Sequence, residues 1–230
     1  MIKKVLILGG SSDIGMKLLN IFLKDGSYKV DLHYNSYSKI KKNLKYNLIK
    51  ADFSKSNYKS TLKKFKNNYD IIINLIGYID NKSFNNFQPK DIEKSIMANS
   101  IIPLLIIRSS LSNMVKKKWG RIVNSSSIGV KFGGGDKTFG YSIAKHLNEF
   151  IPKEIRKLAS KNIFYNIIKI GLTNTKIHKR ILSKNLKKRI SLVPVKKMAG
   201  PEDVAKYIYY ISSKQNKFIT GEIIGVTGGE

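Results

Sequence analysis

The sequence predicts a doubly wound α/β domain: a seven-stranded parallel sheet with helices on both faces. Three observations carry this. Short apolar runs alternate with helical patterns along the whole chain. Several runs are rich in β-branched residues without polar alternation, as in Asp70-Ile71-Ile72-Ile73-Asn74, which is how a strand covered on both faces reads. The first run leads directly into a glycine turn that opens a helix. At 230 residues the chain has room for one well-buried domain.

Val5 to Leu8 is the first strand, and Gly9-Gly10-Ser11-Ser12-Asp13-Ile14-Gly15 follows at once. A helix then begins, with Ile14, Leu18, Leu19, Phe22 and Leu23 on one stripe. Strand, glycine turn and helix start, in that order, suit a dinucleotide pyrophosphate. Backbone N–H groups and the helix dipole meet the phosphates, and the glycines let the chain approach. A tight structural turn is the competing reading. Tyr28 to Tyr34 makes the second strand, a short helix is expected near Tyr37–Asn43, and Tyr46 to Lys50 makes the third strand. Ala51-Asp52-Phe53 comes next, where Asp52 can cap a helix or meet an adenine amino group. A charged helix is expected from about Lys55 to Lys66, and the strand ending at Asn74 opens into Leu75-Ile76-Gly77.

Pro89 starts a long helix to about Met114, with Asn99 near its middle. Gly120 to Asn124 leads a fifth strand into Ser125-Ser126-Ser127. The loop Gly133-Gly134-Gly135 precedes a helix that carries Tyr141 and continues to about Ser160. Ile163 to Lys169 is a sixth strand, ending at Gly171. From Thr173 to Ala199 the chain is polar and basic and reads as a helical flap, taken as about 172–199. Pro201-Glu202-Asp203 opens a last helix, with proline in the first turn where its missing N–H costs nothing. Phe218 to Val226 is the seventh strand, followed by Gly228-Gly229-Glu230. With no repeat or linker, one domain is expected over 1–230.

Composition narrows the function classes. The hydrophobic fraction of 42% is ordinary for a soluble protein, and the most apolar helical run, Ile101 to Ile107, stops at Arg108 and reads as core rather than membrane. With no cysteine there is no disulfide, thiol nucleophile or thiolate metal site, which suits a cytoplasmic enzyme. The net charge of +28 fits nucleic acid, a membrane surface or anionic ligands. Its doublets are scattered (Lys41-Lys42, Lys63-Lys64, Lys187-Lys188, Lys196-Lys197), so most of it reads as solvated surface. His33, His146 and His178 are dispersed, with no metal-ligand spacing, and are expected on the surface or in packing.

Chemistry concentrates at Tyr141-Ser142-Ile143-Ala144-Lys145. Residues four apart share a helix face, so Tyr141 and Lys145 can enter one cleft. A free tyrosine titrates near 10, and a neighbouring ammonium favours the phenolate and lowers that value toward useful acid/base range. A serine hydroxyl facing both can hold a carbonyl or alcohol. Cofactor choice has its own handle: an NAD-preferring turn places an acid about 20 residues past the glycines. Counting from Gly15 reaches Asn35, no acid lies between Leu32 and Asp52, and Lys39, Lys41 and Lys42 lie near enough to meet a 2′-phosphate. NADP(H) is therefore expected over NAD(H).

These motifs, in this order and spacing from Lys3 to Glu230, resemble the short-chain dehydrogenase/reductase superfamily, in particular members like the 3-oxoacyl-acyl-carrier-protein reductases. The resemblance implies a Rossmann-type fold with Tyr141 as acid/base and Ser127, seven residues after Gly120, as the carbonyl partner within the serine triplet. It implies that Lys145 lowers the Tyr141 pKa and binds the nicotinamide ribose, and that Asn99 holds a water in a proton relay. Gly9 and Gly15 would line the pyrophosphate with the intervening Ser11, Ser12, Asp13 and Ile14. Asp52 and Phe53 would meet the adenine, and Asn74 and Gly77 the adenosine side. Gly171 and Thr173 complete the implied cofactor contacts. The sequence departs at Leu8, Asp13, Leu75-Ile76 and Ile170, and the Asp13 carboxylate stands where phosphate charge should go.

The resemblance implies reduction of a ketone, or oxidation of the alcohol, with a small-molecule or carrier-bound carbonyl substrate. An acidic carrier protein would suit Lys118 and Lys161, and a sugar or nucleotide-sugar ketone is the alternative. It also implies a homodimer or homotetramer packed through the Asn99 and Tyr141 helices. A reading of another class is a non-catalytic Rossmann-type protein that binds nucleic acid through its charge. Against it stands the set Asn99, Ser127, Tyr141 and Lys145, which binding alone does not need.

Overall fold

A computed structural model of the chain describes residues 2–36, 44–55, 57–65, 68–180 and 185–230. Seven strands, β1 (Lys3–Leu8), β2 (Tyr28–Tyr34), β3 (Tyr46–Lys50), β4 (Ile71–Asn74), β5 (Gly120–Ser127), β6 (Ile163–Ile170) and β7 (Ile223–Val226), form one sheet in the order β3-β2-β1-β4-β5-β6-β7. Every pairing is parallel. The order reverses between β1 and β4, which opens a crevice at the carboxyl ends of the strands.

The helices are α1 (Asp13–Asp25), α2 (Tyr58–Leu62), α3 (Pro89–Ile96), α4 (Ile102–Lys117), α5 (Phe139–Leu147), α6 (Lys153–Lys157), α7 (Leu186–Leu192) and α8 (Pro201–Ser212). Strand parity sorts the core into two layers. Leu6, Leu8, Ile72, Ile122 and Ile167 face Ile102, Ile106 and Met114, whereas Val5, Ile7, Ile71, Ile73 and Val123 face Leu18, Phe22, Val204 and Ile208. By length and composition the 29-residue run Pro89–Lys117 is apolar enough to cross a membrane, but half of its most apolar window is buried in the fold.

Several boundaries differ from the sequence reading, each for a local reason. The long helix from Pro89 is interrupted by a π-helical turn at Met97–Ile101. The helix carrying Tyr141 stops at Leu147, because Pro152 cannot continue a helix and takes an extended ψ of 137° as the cap of α6. The charged helix after β3 shrinks to Tyr58–Leu62, capped by the Asn57 side chain. The seventh strand starts late, since Asn216 Oδ1 accepts from Phe218 N and Ile219 N, and Gly221, at φ +80°, turns the chain before it pairs. The helix expected near Tyr37–Asn43 lies outside the described residues.

The flap is pinned at its base by a bridge between Thr173 and Ala199 and carries a 3₁₀ turn at Lys176–Arg180 and then α7. It meets the body again at several points, among them Val195 N, which donates to Gly228 O at 3.2 Å. Asp13 accepts from the Lys176 amide at 2.7 Å and pairs with its ammonium at 3.4 Å, and Arg189 on α7 pairs with Glu230.

Candidate active site

A cleft of about 1110 Å³ runs along the carboxyl ends of the strands, from the glycine turn to α5 and under the flap. At its first end, β1 stops at Leu8 and Gly9 adopts φ +69°, where a Cβ would lie 2.7 Å from the Leu75 carbonyl oxygen. Ser12, not Asp13, caps α1, its Oγ accepting from Gly15 N at 3.1 Å. Asp13 and Ile14, whose first-turn N–H groups have no acceptor within the helix, line the cleft, a donor set that suits a pyrophosphate. Gly15 itself lies inside the turn, where a Cβ would meet Gly10 O at 2.5 Å, so its role is close packing rather than contact.

Of the expected cofactor residues, Gly9, Ser11, Ser12, Asp13 and Ile14 line this end. Asn35, Phe53, Gly77, Gly171 and Thr173 line the cleft further on, as do Tyr141 and Lys145. Asp52 stands behind the wall, with its Oδ1 accepting from Asn35 Nδ2 at 3.2 Å and from Ser54 N and Oγ. Pairing of β2 with β3 thus sets an acid beside Asn35 that is 17 residues away in sequence. Lys39, Lys41 and Lys42 lie outside the described residues. Asp13 turns toward Lys176, so its charge is matched by the flap.

His33, expected on the surface or in packing, is buried at the cleft wall and stacks on Phe53 at 4.4 Å. Its Nδ1 accepts from Gly9 N at 3.0 Å, so Nε2 carries the proton and donates to Ala51 O. Burial pushes its pKa down to about 4. His33 reaches the glycine turn because β2 pairs with β1, a contact across 24 residues of sequence.

At the other end, β5 and α5 bring Ser127, Tyr141 and Lys145 together at the cleft. The Ser127 hydroxyl lies near enough to Tyr141 to lower its pKa, and its Oγ accepts from Gly129 N at 3.2 Å. Lys145, 2% exposed, donates to Ile76 O at 2.8 Å, Ser125 O at 3.1 Å and Ser125 Oγ at 2.7 Å. Burial pushes the Tyr141 hydroxyl up to about 12, with the Ser127 hydroxyl acting the other way, and pushes Lys145 down to about 7. The expected pull of the ammonium on the tyrosine is therefore not the leading influence. Lys145 Nζ sits 5.7 Å from the Tyr141 ring centroid with its donors spent on β4 and β5 carbonyls and Ser125.

Asn99 does not reach the cleft. It is fully buried, and its side chain accepts from Tyr78 N at 2.8 Å and donates to Tyr78 O and Ser95 O. Its carbonyl, presented by the π-helical turn, accepts from Asn74 at 3.1 Å and Asn148 at 3.2 Å. Asn74 is likewise fully buried, donating to Asn124 Oδ1 at 2.7 Å. These asparagines form a network beneath the site, and Asn148, which had no sequence signal, ties it to Ser125 O at 3.1 Å. Lys118 and Lys161 are exposed, but they precede β5 and β6. An eight-residue strand separates them from the cleft, roughly 25 Å. Lys131, Lys137 and Lys188 line the cleft instead.

Residues 31–230 match the model of the family described as enoyl-(acyl carrier protein) reductase. The chain belongs to the short-chain dehydrogenase/reductase superfamily. It is an NAD(P)-dependent oxidoreductase of that superfamily, and it is similar to the 3-oxoacyl-[acyl-carrier-protein] reductase FabG of Aquifex aeolicus, with 33% identity over 70% of this chain and 64% of that protein. The FabG of Buchnera aphidicola is 28% identical over 98% of this chain and 86% of its own length. Among solved structures, a 3-oxoacyl (acyl-carrier-protein) reductase from Agrobacterium tumefaciens with NADP bound superposes with a TM-score of 0.81, at 20% identity, covering 99% of this chain and 94% of the other. The residues at the glycine turn fit the dinucleotide of this superfamily: a positive-φ glycine with no room for a Cβ, a capped helix start, and a cleft long enough to lead to Tyr141.

Proposed function

We propose that this chain reduces the ketone of a 3-oxoacyl thioester, with NADPH as reductant. The observation that carries the reading is the convergence of Ser127, Tyr141 and the buried Lys145 at the far end of a cleft that begins at the glycine turn. A bound nicotinamide would supply hydride to the carbonyl carbon. Ser127 Oγ orients the carbonyl oxygen, and Tyr141 gives that oxygen its proton, leaving a phenolate and an alcohol. With a hydroxyl pKa pushed up to about 12, Tyr141 is protonated at neutral pH, the state that reduction needs. The transfer still runs downhill, because an alkoxide is about as basic as hydroxide and so a far stronger base than the phenolate left behind.

A thioester on a carrier or on coenzyme A brings phosphate charge, and Lys131, Lys137 and Lys188 on the cleft wall support an anionic substrate arm. NADPH is favoured because Asn35 and Ser36, with no carboxylate, line the cleft after β2, while Asp52 is held by Asn35 and Ser54. Exposed Leu104, Leu147 and Phe150, on α4 and around the end of α5, support self-association through these helices, which light scattering tests.

The test is loss of NADPH absorbance with 3-oxoacyl thioesters of carrier protein, coenzyme A and N-acetylcysteamine. Turnover of at least one is expected, and a fully inert panel would overturn the substrate class. Calorimetric titration should show NADPH binding at least about tenfold tighter than NADH, the size of one charge-assisted contact. Asn35→Asp should shrink or reverse that ratio, and tighter NADH binding by the wild type would refute the preference.

A further inference from the structure

Strand parity divides the work of the serine triplet. Side chains alternate along β5, so Ser125 and Ser127 share one side and Ser126 faces the other. Ser126 Oγ donates to Glu149 Oε1 at 2.6 Å, and Glu149 pairs with Lys169 at 2.9 Å. Two strand residues advance about 6.6 Å and four helical residues about 6 Å. The serines of β5 and the reacting pair of α5 therefore fall into register, Ser127 with Tyr141 and Ser125 with Lys145.

An ammonium has three N–H groups, and Lys145 has three acceptors: the carbonyls of Ile76 and Ser125, and the Ser125 hydroxyl at 2.7 Å. The hydroxyl is the one side-chain acceptor among them. Ser125 is itself 2% exposed, so water does not readily replace it. No carboxylate takes part. Around Lys145, the segment after β4 offers only the Ile76 carbonyl and β5 only Ser125, while Tyr141 on α5 is the ionisable neighbour, its ring centroid 5.7 Å away. Glu149 and Lys169 satisfy each other across Ser126.

We propose that Ser125 is a positioning residue: its hydroxyl holds the Lys145 amino group as an ammonium between the ends of β4 and β5, and so sets the charge that Tyr141 meets. Removing it leaves a buried cationic N–H without an acceptor, which disfavours the charged form. Burial already brings Lys145 down to about 7, so a further loss makes it mostly neutral at physiological pH. A neutral amine does not stabilise the phenolate. In alcohol oxidation, where Tyr141 must accept the proton, the rate near neutral pH then falls.

The inference rests on the oxidoreductase reading for its kinetic consequence, but the protonation of Lys145 can be read without turnover. Lysine side chains labelled with carbon-13 at Cε are titrated by NMR, with the Lys145 signal assigned through Lys145→Met. Ser125→Ala should shift the Lys145 protonation equilibrium roughly tenfold toward the neutral form, from the loss of one hydrogen bond to a charged group. Ser125→Thr, which keeps a hydroxyl, should restore it, and Ser126→Ala should leave the titration of Lys145 in place. In oxidation of the alcohol product near neutral pH, Ser125→Ala should turn over more slowly and Ser125→Thr should recover the rate. An unmoved Lys145 titration in Ser125→Ala, or no recovery in Ser125→Thr, would overturn the proposal. A shifted titration in a protein inert toward every ketone would uphold the role of Ser125 while sinking the proposed function.

Discussion

Protonation of His33 should couple acid stability to the cofactor turn. The ring is 1% exposed, and burial and the Gly9 N–H that donates to Nδ1 favour its neutral form, while the Ala51 carbonyl that accepts from Nε2 acts the other way. Its pKa falls from an ordinary 6.5 to about 4, with burial as the main cause. The unfolded chain therefore binds a proton near pH 6.5 that the folded chain refuses until about pH 4. Between those values the unfolded state holds more protons, so stability falls as pH falls. Above that window His33 contributes no pH dependence. The separation corresponds to roughly 3 kcal/mol lost across the window, a large share of a typical folding free energy of about 5–15 kcal/mol. Urea denaturation of wild type and His33→Phe at several pH values from 7.5 to 4.5 measures it. His33→Phe is expected to be less stable at pH 7.5, having lost two hydrogen bonds, but to show a flatter acid limb. Parallel stability curves for the two proteins would refute the reasoning, and would place the acid lability among the carboxylates.

Tyr141→Phe should keep the fold and cofactor affinity but lose roughly 10²–10⁴-fold in turnover, and retention of a third of wild-type turnover would remove it as the acid. Ser127→Ala should lower turnover by roughly 10²-fold with cofactor affinity unchanged, since its hydroxyl meets Tyr141 rather than the turn; a normal rate would exclude it as the carbonyl partner. Asp13→Ala removes the acceptor of the Lys176 amide, so hydrogen exchange at Lys176 should accelerate, whereas Lys176→Gln keeps that bond and should leave it slow. Equal protection in wild type and Asp13→Ala would mean that the flap is held elsewhere.

The individual strands, the glycine turn and the shared helix face of Tyr141 and Lys145 were legible because each depends on spacing along one element. Ile71 to Ile73 read as a strand because its burial on both faces is written in its own side chains, and Tyr141 and Lys145 share a face because helices repeat every 3.6 residues. The turn at Gly9 and the cap at Ser12 are likewise local. What only the tertiary structure decided are contacts between elements far apart in sequence. Asp13 is satisfied by Lys176 across 163 residues, so the charge that looked hostile to phosphate is paired. Asn99 became part of a buried network because the π-helical turn aims its carbonyl at Asn74 and Asn148. Lys118 and Lys161 fell at the wrong end of their strands, and Asp52 came to lie beside Asn35, through strand direction and pairing that no single segment encodes. The protonation of Lys145 and Tyr141 belongs to the same class, because burial is a property of everything packed around a residue and not of the residue's own neighbours in sequence.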